Sequence, residues 1–235
     1  MNIIIDLVLI GILALCVWNG YRKGLILGIS GILALVVAFY GANLIAETYS
    51  SEFTSMVEPF IAGIVDKSVD ETSEDLETPA ENGDLDPSAN PEQVYEVSYE
   101  SLRKIGILKS AASNIAEELK NEVDQIGSKL KTAVIHKLAG TLAYVAVLII
   151  VFLLIVIIFA VISNLLNLAF KLPGLELLNE IGGTLFGLLK GLIFIFAISW
   201  ALRFFGFVIP ETTVNKTVLL KWLMNNNPII AIFGL

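Results

Sequence analysis

The chain has 235 residues, of which 56% are hydrophobic and only 16% charged, and its formal net charge is −8; mean hydropathy is +0.79 and the pI is near 4.7. Soluble domains carry nearer ~25% charged residues, so the composition excludes an ordinary soluble enzyme and points to a membrane protein. The acidic balance speaks against nucleic acid as a partner.

In chain order, residues 3–18 (IIIDLVLIGILALCVW) carry one charge, Asp6, and residues 24–46 (GLILGISGILALVVAFYGANLIA) carry none. A helix rises about 1.5 Å per residue and the hydrocarbon core is ~30 Å thick, so about 20 apolar residues make a span. Two spans are predicted here, about 2–19 and 24–46. The first reads as a span rather than a cleaved signal, because no basic residue precedes Arg22 and a second apolar block follows at once. Cys16, the lone cysteine, has no partner for an internal disulfide and reads as a packing residue. Arg22 and Lys23 sit in the short turn NGYRKG, and such turns stay cytoplasmic. Both termini and the 47–136 loop are then expected outside the cytoplasm.

That loop holds 19 acidic and 7 basic residues, a net of −12. Its stretch 70–93, rich in Glu, Asp, Pro, Ser and Asn and poor in large apolar residues, is expected to be disordered. Residues 53–69 suit a short helix lying on the membrane. Ile115, Leu119, Val123, Ile126, Leu130 and Val134 fall at steps of 4, 4, 3, 4 and 4, an apolar helical stripe within 111–136. It either covers a neighbouring helix or docks a partner. With no proline after it, one helix from about 111 to 168 is expected.

Residues 138–170 are again free of charge, giving a third span at about 138–162. A fourth, about 185–207, contains Lys190 and Arg203. In the C-terminal stretch, Val214, Val218, Trp222 and Leu223 suit one side of an interfacial helix that Pro228 ends. The organisation expected is all-α and polytopic, with four transmembrane helices and amphipathic helices outside. Its parts are a hairpin at 1–48, an acidic extracytoplasmic loop at 49–136, a second hairpin at 137–209 and an interfacial segment at 210–235.

The stretch IGGTLFGLLKGLIF (181–194) tests for a phosphate loop. A P-loop needs G-x-x-x-x-G-K-[ST] after a strand, but Leu188 and Leu189 follow Gly187 and no strand pattern precedes. Instead Gly183, Gly187 and Gly191 are four apart, as are Gly20, Gly24 and Gly28. Residues i and i+4 share a helix face, and in lipid such side-chain-free faces let backbones approach closely. The two series are read as helix-packing faces. KGLI occurs at 23–26 and again at 190–193, which suits a duplicated hairpin. Charges in the spans cost ~2.5–3.5 kcal/mol each on insertion scales. Lys23 and Lys190 are expected to snorkel to cytoplasmic headgroups and Asp6 to pair with Arg203; an ion or solute path is the other reading. His136 is the one histidine and nothing has zinc spacing, so neither an enzyme centre nor a metal or other cofactor is expected.

The Asp6 segment, GYRKGLILGISGILALVVAFYGANLIA and LPGLELLNEIGGTLFGLLKGLIF together resemble the colicin V production (CvpA) family of bacterial inner-membrane proteins, over about 3–48 and 138–200. The family pattern falls on Asp6, Gly20, Arg22, Gly24, Asn179, Gly183, Gly187, Lys190 and Gly191. Glu180 departs from it, standing where a basic residue is usual, and the acidic insert at 47–136 replaces a short loop. The resemblance implies a four-span cell-membrane protein tied to toxin production or export and to envelope maintenance; the partners expected are the lipid bilayer and either a second copy of the chain or a membrane or envelope protein. The alternative is a transporter or channel subunit with an oligomeric pore.

Overall fold

A computed structural model describes residues 2–76, 80–81, 84–85, 91–122, 130–167, 176–205 and 209–230. Helix α1 runs from Asn2 to Asp75 and is interrupted at Gly24, so it is two helices joined end to end. A two-residue antiparallel pair follows, β1 (Ala80–Glu81) with β2 (Asp84–Leu85). Then come α2 (Pro91–Lys104), α3 (Lys109–Asn121), α4 (Leu130–Asn167), α5 (Glu176–Leu202), α6 (Glu211–Val214) and α7 (Leu219–Asn225). The fold is all-α apart from that short pair. Three helices, α1, α4 and α5, are long and apolar enough to cross a membrane. Their exposed side chains say the same: on α4, Ile150, Leu153, Leu154, Ile157, Ile158 and Val161 are all exposed at helical spacing, a face suited to lipid and costly in water.

The chain divides into two units. Unit 1 comprises Met1–Thr48, Ala146–Trp200 and Thr213–Ile232; unit 2 comprises Tyr49–Val145, Ala201–Thr212 and Phe233–Leu235. In unit 1, Ala34, Ala38, Ala42 and Ala46 are buried at steps of four, a second small-residue stripe, offset from Gly20, Gly24 and Gly28 because Ala34 comes six residues after Gly28. Phe39, Phe152 and Phe194 form a ring cluster with centroids 4.5 and 5.8 Å apart.

Unit 2 is built the other way, around the amphipathic helices α2 and α3 with their apolar faces turned inward. Val94, Val97 and Leu102 of α2 and Ala112, Ile115 and Leu119 of α3 are buried together with Val65, Val69, Leu130, Val134 and Leu138. Gly106, with φ 95°, ends α2: its N–H donates to the Arg103 carbonyl, and the Ile107 N–H reaches back to that of Leu102 at 3.0 Å. This is the Schellman closure, sealed by contact-prone apolar residues at its two ends, here the buried Leu102 and Ile107.

Several boundaries differ from those expected. α3 stops at Asn121 and α4 starts at Leu130, so the single helix expected over 111–168 is interrupted after Asn121; Val123 and Ile126 lie outside the described residues. The rest of that stripe, Ile115, Leu119, Leu130 and Val134, is core. Of 70–93, residues 70–75 are the end of α1, 91–93 open α2, and 80–81 pair with 84–85; 77–79, 82–83 and 86–90 lie outside the described residues. α5 begins at Glu176 and ends at Leu202 rather than spanning 185–207. On the C-terminal segment, Val214 and Leu223 are buried while Val218 and Trp222 are exposed, so the four do not share a side. The two short helices there, α6 and α7, stand in place of the single interfacial helix expected up to Pro228.

Candidate functional site: a glycine crossing and its cavity

The feature that organises unit 1 is the break at Gly24. Its φ of 79° and ψ of −179° lie where essentially only glycine is found. A helix restarted in apolar surroundings leaves N–H groups without intrahelical acceptors. Asn179, in the first turn of α5, supplies one: its Oδ1 accepts the Leu25 N–H at 2.8 Å. The same amide fills the space where a side chain at residue 24 would go, for a Cβ there would lie 2.5 Å from Asn179 Cγ. Gly24 is therefore required both by dihedral angle and by space.

Around this break the two glycine series lie against each other. A Cβ on Gly20 would stand 2.7 Å from Gly187 Cα, one on Gly183 2.6 Å from Gly24 Cα, and one on Gly187 2.6 Å from the Cys16 carbonyl oxygen. Those neighbours are backbone and have no rotamer to yield. Gly28 faces Phe186, and Gly191 faces Leu13 and Cys16, where an added Cβ would meet side chains at 2.7 and 2.8 Å. Gly11, in the same helix, has nothing within 4 Å. Backbones this close exchange dispersion contacts along their length.

Beside the crossing lies a cavity of about 70 Å³ whose walls include Cys16, Asn19, Lys23, Ser163, Phe186 and Lys190. A single water needs roughly 10–15 Å³ measured this way, so several fit. The Lys190 ammonium stands over the Phe194 ring, 5.9 Å from its centroid, and close to Gly31, where a Cβ would be 3.7 Å away. None of the lining residues is a carboxylate. Arg22 and Lys23, with Leu15, Trp18 and Asn19, also line an open surface depression.

A family model for the colicin V production protein matches residues 5–68 and 110–228. The chain belongs to that family. No curated protein and no solved structure matches it. As a colicin V production family member it is a membrane protein. The match contains Asp6, both glycine series, Asn179 and Lys190 and passes over 69–109, which holds the β pair and all of α2.

The remaining charges of this family member sit as follows. The Asp6 carboxylate accepts the N–H groups of Val218 and Leu220 at 2.8 and 3.1 Å, so it caps α7, where an acceptor and a negative charge are both favourable. The ion pair with Arg203 expected above is therefore not what holds Asp6. Arg203 belongs to unit 2; it is buried, and its Nε donates to Ser110 Oγ at 2.7 Å. Sequence reasoning named Asn179 by resemblance alone and missed its work as a cap, because donor and acceptor are 154 residues apart. It also missed α2; Gly106 after the buried Val94, Val97 and Leu102 was the available signal. Among the described residues no cluster of three or more metal-ligating side chains occurs.

Proposed function

We propose that this colicin V production family protein is a non-enzymatic, multi-pass component of the bacterial inner membrane. It supports toxin production or secretion, or envelope homeostasis, through a membrane or envelope protein partner. The Gly24 break supports counting α1 as two spans, four in all, with the Arg22–Lys23 turn cytoplasmic and the 47–136 loop and both termini outside. The observation that carries the reading is the glycine crossing: its backbone-to-backbone contacts are a scaffold's chemistry, and Asn179 there serves a helix end, its Oδ1 accepting the Leu25 N–H. On α1, Tyr49, Phe53, Met56, Phe60 and Ile64 are exposed at steps of 4, 3, 4 and 4, an apolar face available to a partner. A photo-crosslinker at Phe60 in cells is expected to capture an envelope protein; capture of lipid or of this chain alone would count against the partner reading.

The second reading, a transporter or channel subunit, draws on the lysine-lined cavity. Reconstituted liposomes should show no solute flux if the first reading holds. Flux that disappears with Lys190→Ala would favour the second.

A further inference from the structure

We infer that the cavity beside the glycine crossing binds a phosphate-type anion between Lys190 and Lys23. Lys190 lies near the middle of α5, 14 residues after Glu176 and 12 before Leu202, so about 21 Å and 18 Å of helix separate it from the two ends. Side chains on a helix lean toward its N-terminus, which directs Lys190 toward the end of α5 that carries Asn179. Its ammonium stays beside Gly31, two helical turns past the Gly24 break. Its named contact is the Phe194 ring, and among the described residues no carboxylate pairs with Lys190 or Lys23. An ammonium in apolar surroundings is costly without a counter-charge, and two of them lining one cavity compound the cost by repulsion. An anion with several acceptor oxygens relieves both. Asn19 and Ser163 in the same lining add neutral polar groups for the oxygens that the lysines leave free. Lysine binds phosphate as a point charge without demanding bidentate geometry, and basic pockets between membrane helices take phospholipid headgroups. The same chemistry suits the headgroup of an anionic lipid or free inorganic phosphate.

The test uses the full chain purified in phosphatidylcholine nanodiscs, with melting temperature and lipid retention in native mass spectra as readouts. Adding phosphatidylglycerol is expected to raise the melting temperature and leave one such lipid bound; Lys190→Gln should weaken this by about tenfold, or 1.4 kcal/mol. Lys190→Arg should retain it, Lys23→Gln should weaken it less, and Lys67→Gln, in unit 2, should leave it unchanged. If inorganic phosphate in phosphatidylcholine discs reproduces the shift with the same lysine dependence, the site stands and its occupant is a soluble anion. Should Lys190→Gln fail to fold, Lys23→Gln and Lys190→Arg decide. The inference falls if neither ligand shifts the natural chain, or if the folded lysine-to-glutamine variants bind as it does. Crosslinking at Phe60 is independent of either result.

Discussion

Unit 1 and unit 2 are held by opposite means. In unit 1 helices meet where side chains are missing, at Gly20, Gly183 and Gly187, backbone against backbone. In unit 2 they meet through what side chains bring: a Leu, Val and Ala core ringed by ion pairs such as Lys104–Asp75 at 2.7 Å, Lys131–Asp70 at 2.5 Å and Lys137–Glu118 at 2.6 Å. Every ion pair identified among the described residues falls in unit 2. The two modes suit different solvents. Water drives apolar side chains together and screens surface charges, whereas lipid gives helices no such drive and leaves contact distance as the main variable.

The largest test of that contrast is Gly183→Ile. With backbone on the facing side, nothing can repack; a loss above about 4 kcal/mol is expected, read as loss of a monodisperse species in detergent. Gly11→Ala, in open space, should instead raise stability by up to about 1 kcal/mol by removing helical glycine entropy. A similar cost at both positions would break the comparison. In unit 2 the sensitive change is deletion of volume: Leu102→Ala should cost ~2–5 kcal/mol in a thermal melt followed by circular dichroism.

Smaller effects sharpen it. Asn179→Ala removes the acceptor for the Leu25 N–H and should cost ~1–2 kcal/mol, the range of a lost helix cap. Asp6→Ala should cost ~1 kcal/mol and speed trypsin cleavage at Lys216 and Lys221, since α7 loses its cap; unchanged digestion would remove Asp6 from that role. The smallest is electrostatic. The Glu92 hydrogen bond holds the Lys120 ammonium above the usual lysine range. A raised pKa stabilises the fold below the unfolded value and ceases to as pH rises through the folded one. Lys120→Met should therefore lower stability slightly at neutral pH and remove part of the decline that the natural chain shows at strongly alkaline pH.

How much of this was legible follows from the range of each signal. The apolar blocks around α1, α4 and α5 are local and were readable, as were the two series of glycines at steps of four. That the series face one another is a tertiary fact, since a glycine stripe names no partner. Asp6 was misassigned because charge suggests a cation, while its actual acceptors' partners are backbone N–H groups more than 200 residues on, which no side-chain pattern encodes. In the 115–134 stripe, Ile115, Leu119, Leu130 and Val134 are core, while the stop at Asn121 was hidden, because a sequence periodicity can run on past the end of a helix.

The Asn179 cap has a consequence in time. Residue 179 leaves the ribosome 154 residues after Leu25, about 8–30 s later at ordinary elongation rates. For that interval the second half of α1 has its first N–H unanswered by its eventual acceptor. The break in α1 is thus born incomplete and finishes only when α5 arrives, which makes the late segment the one that licenses the early one.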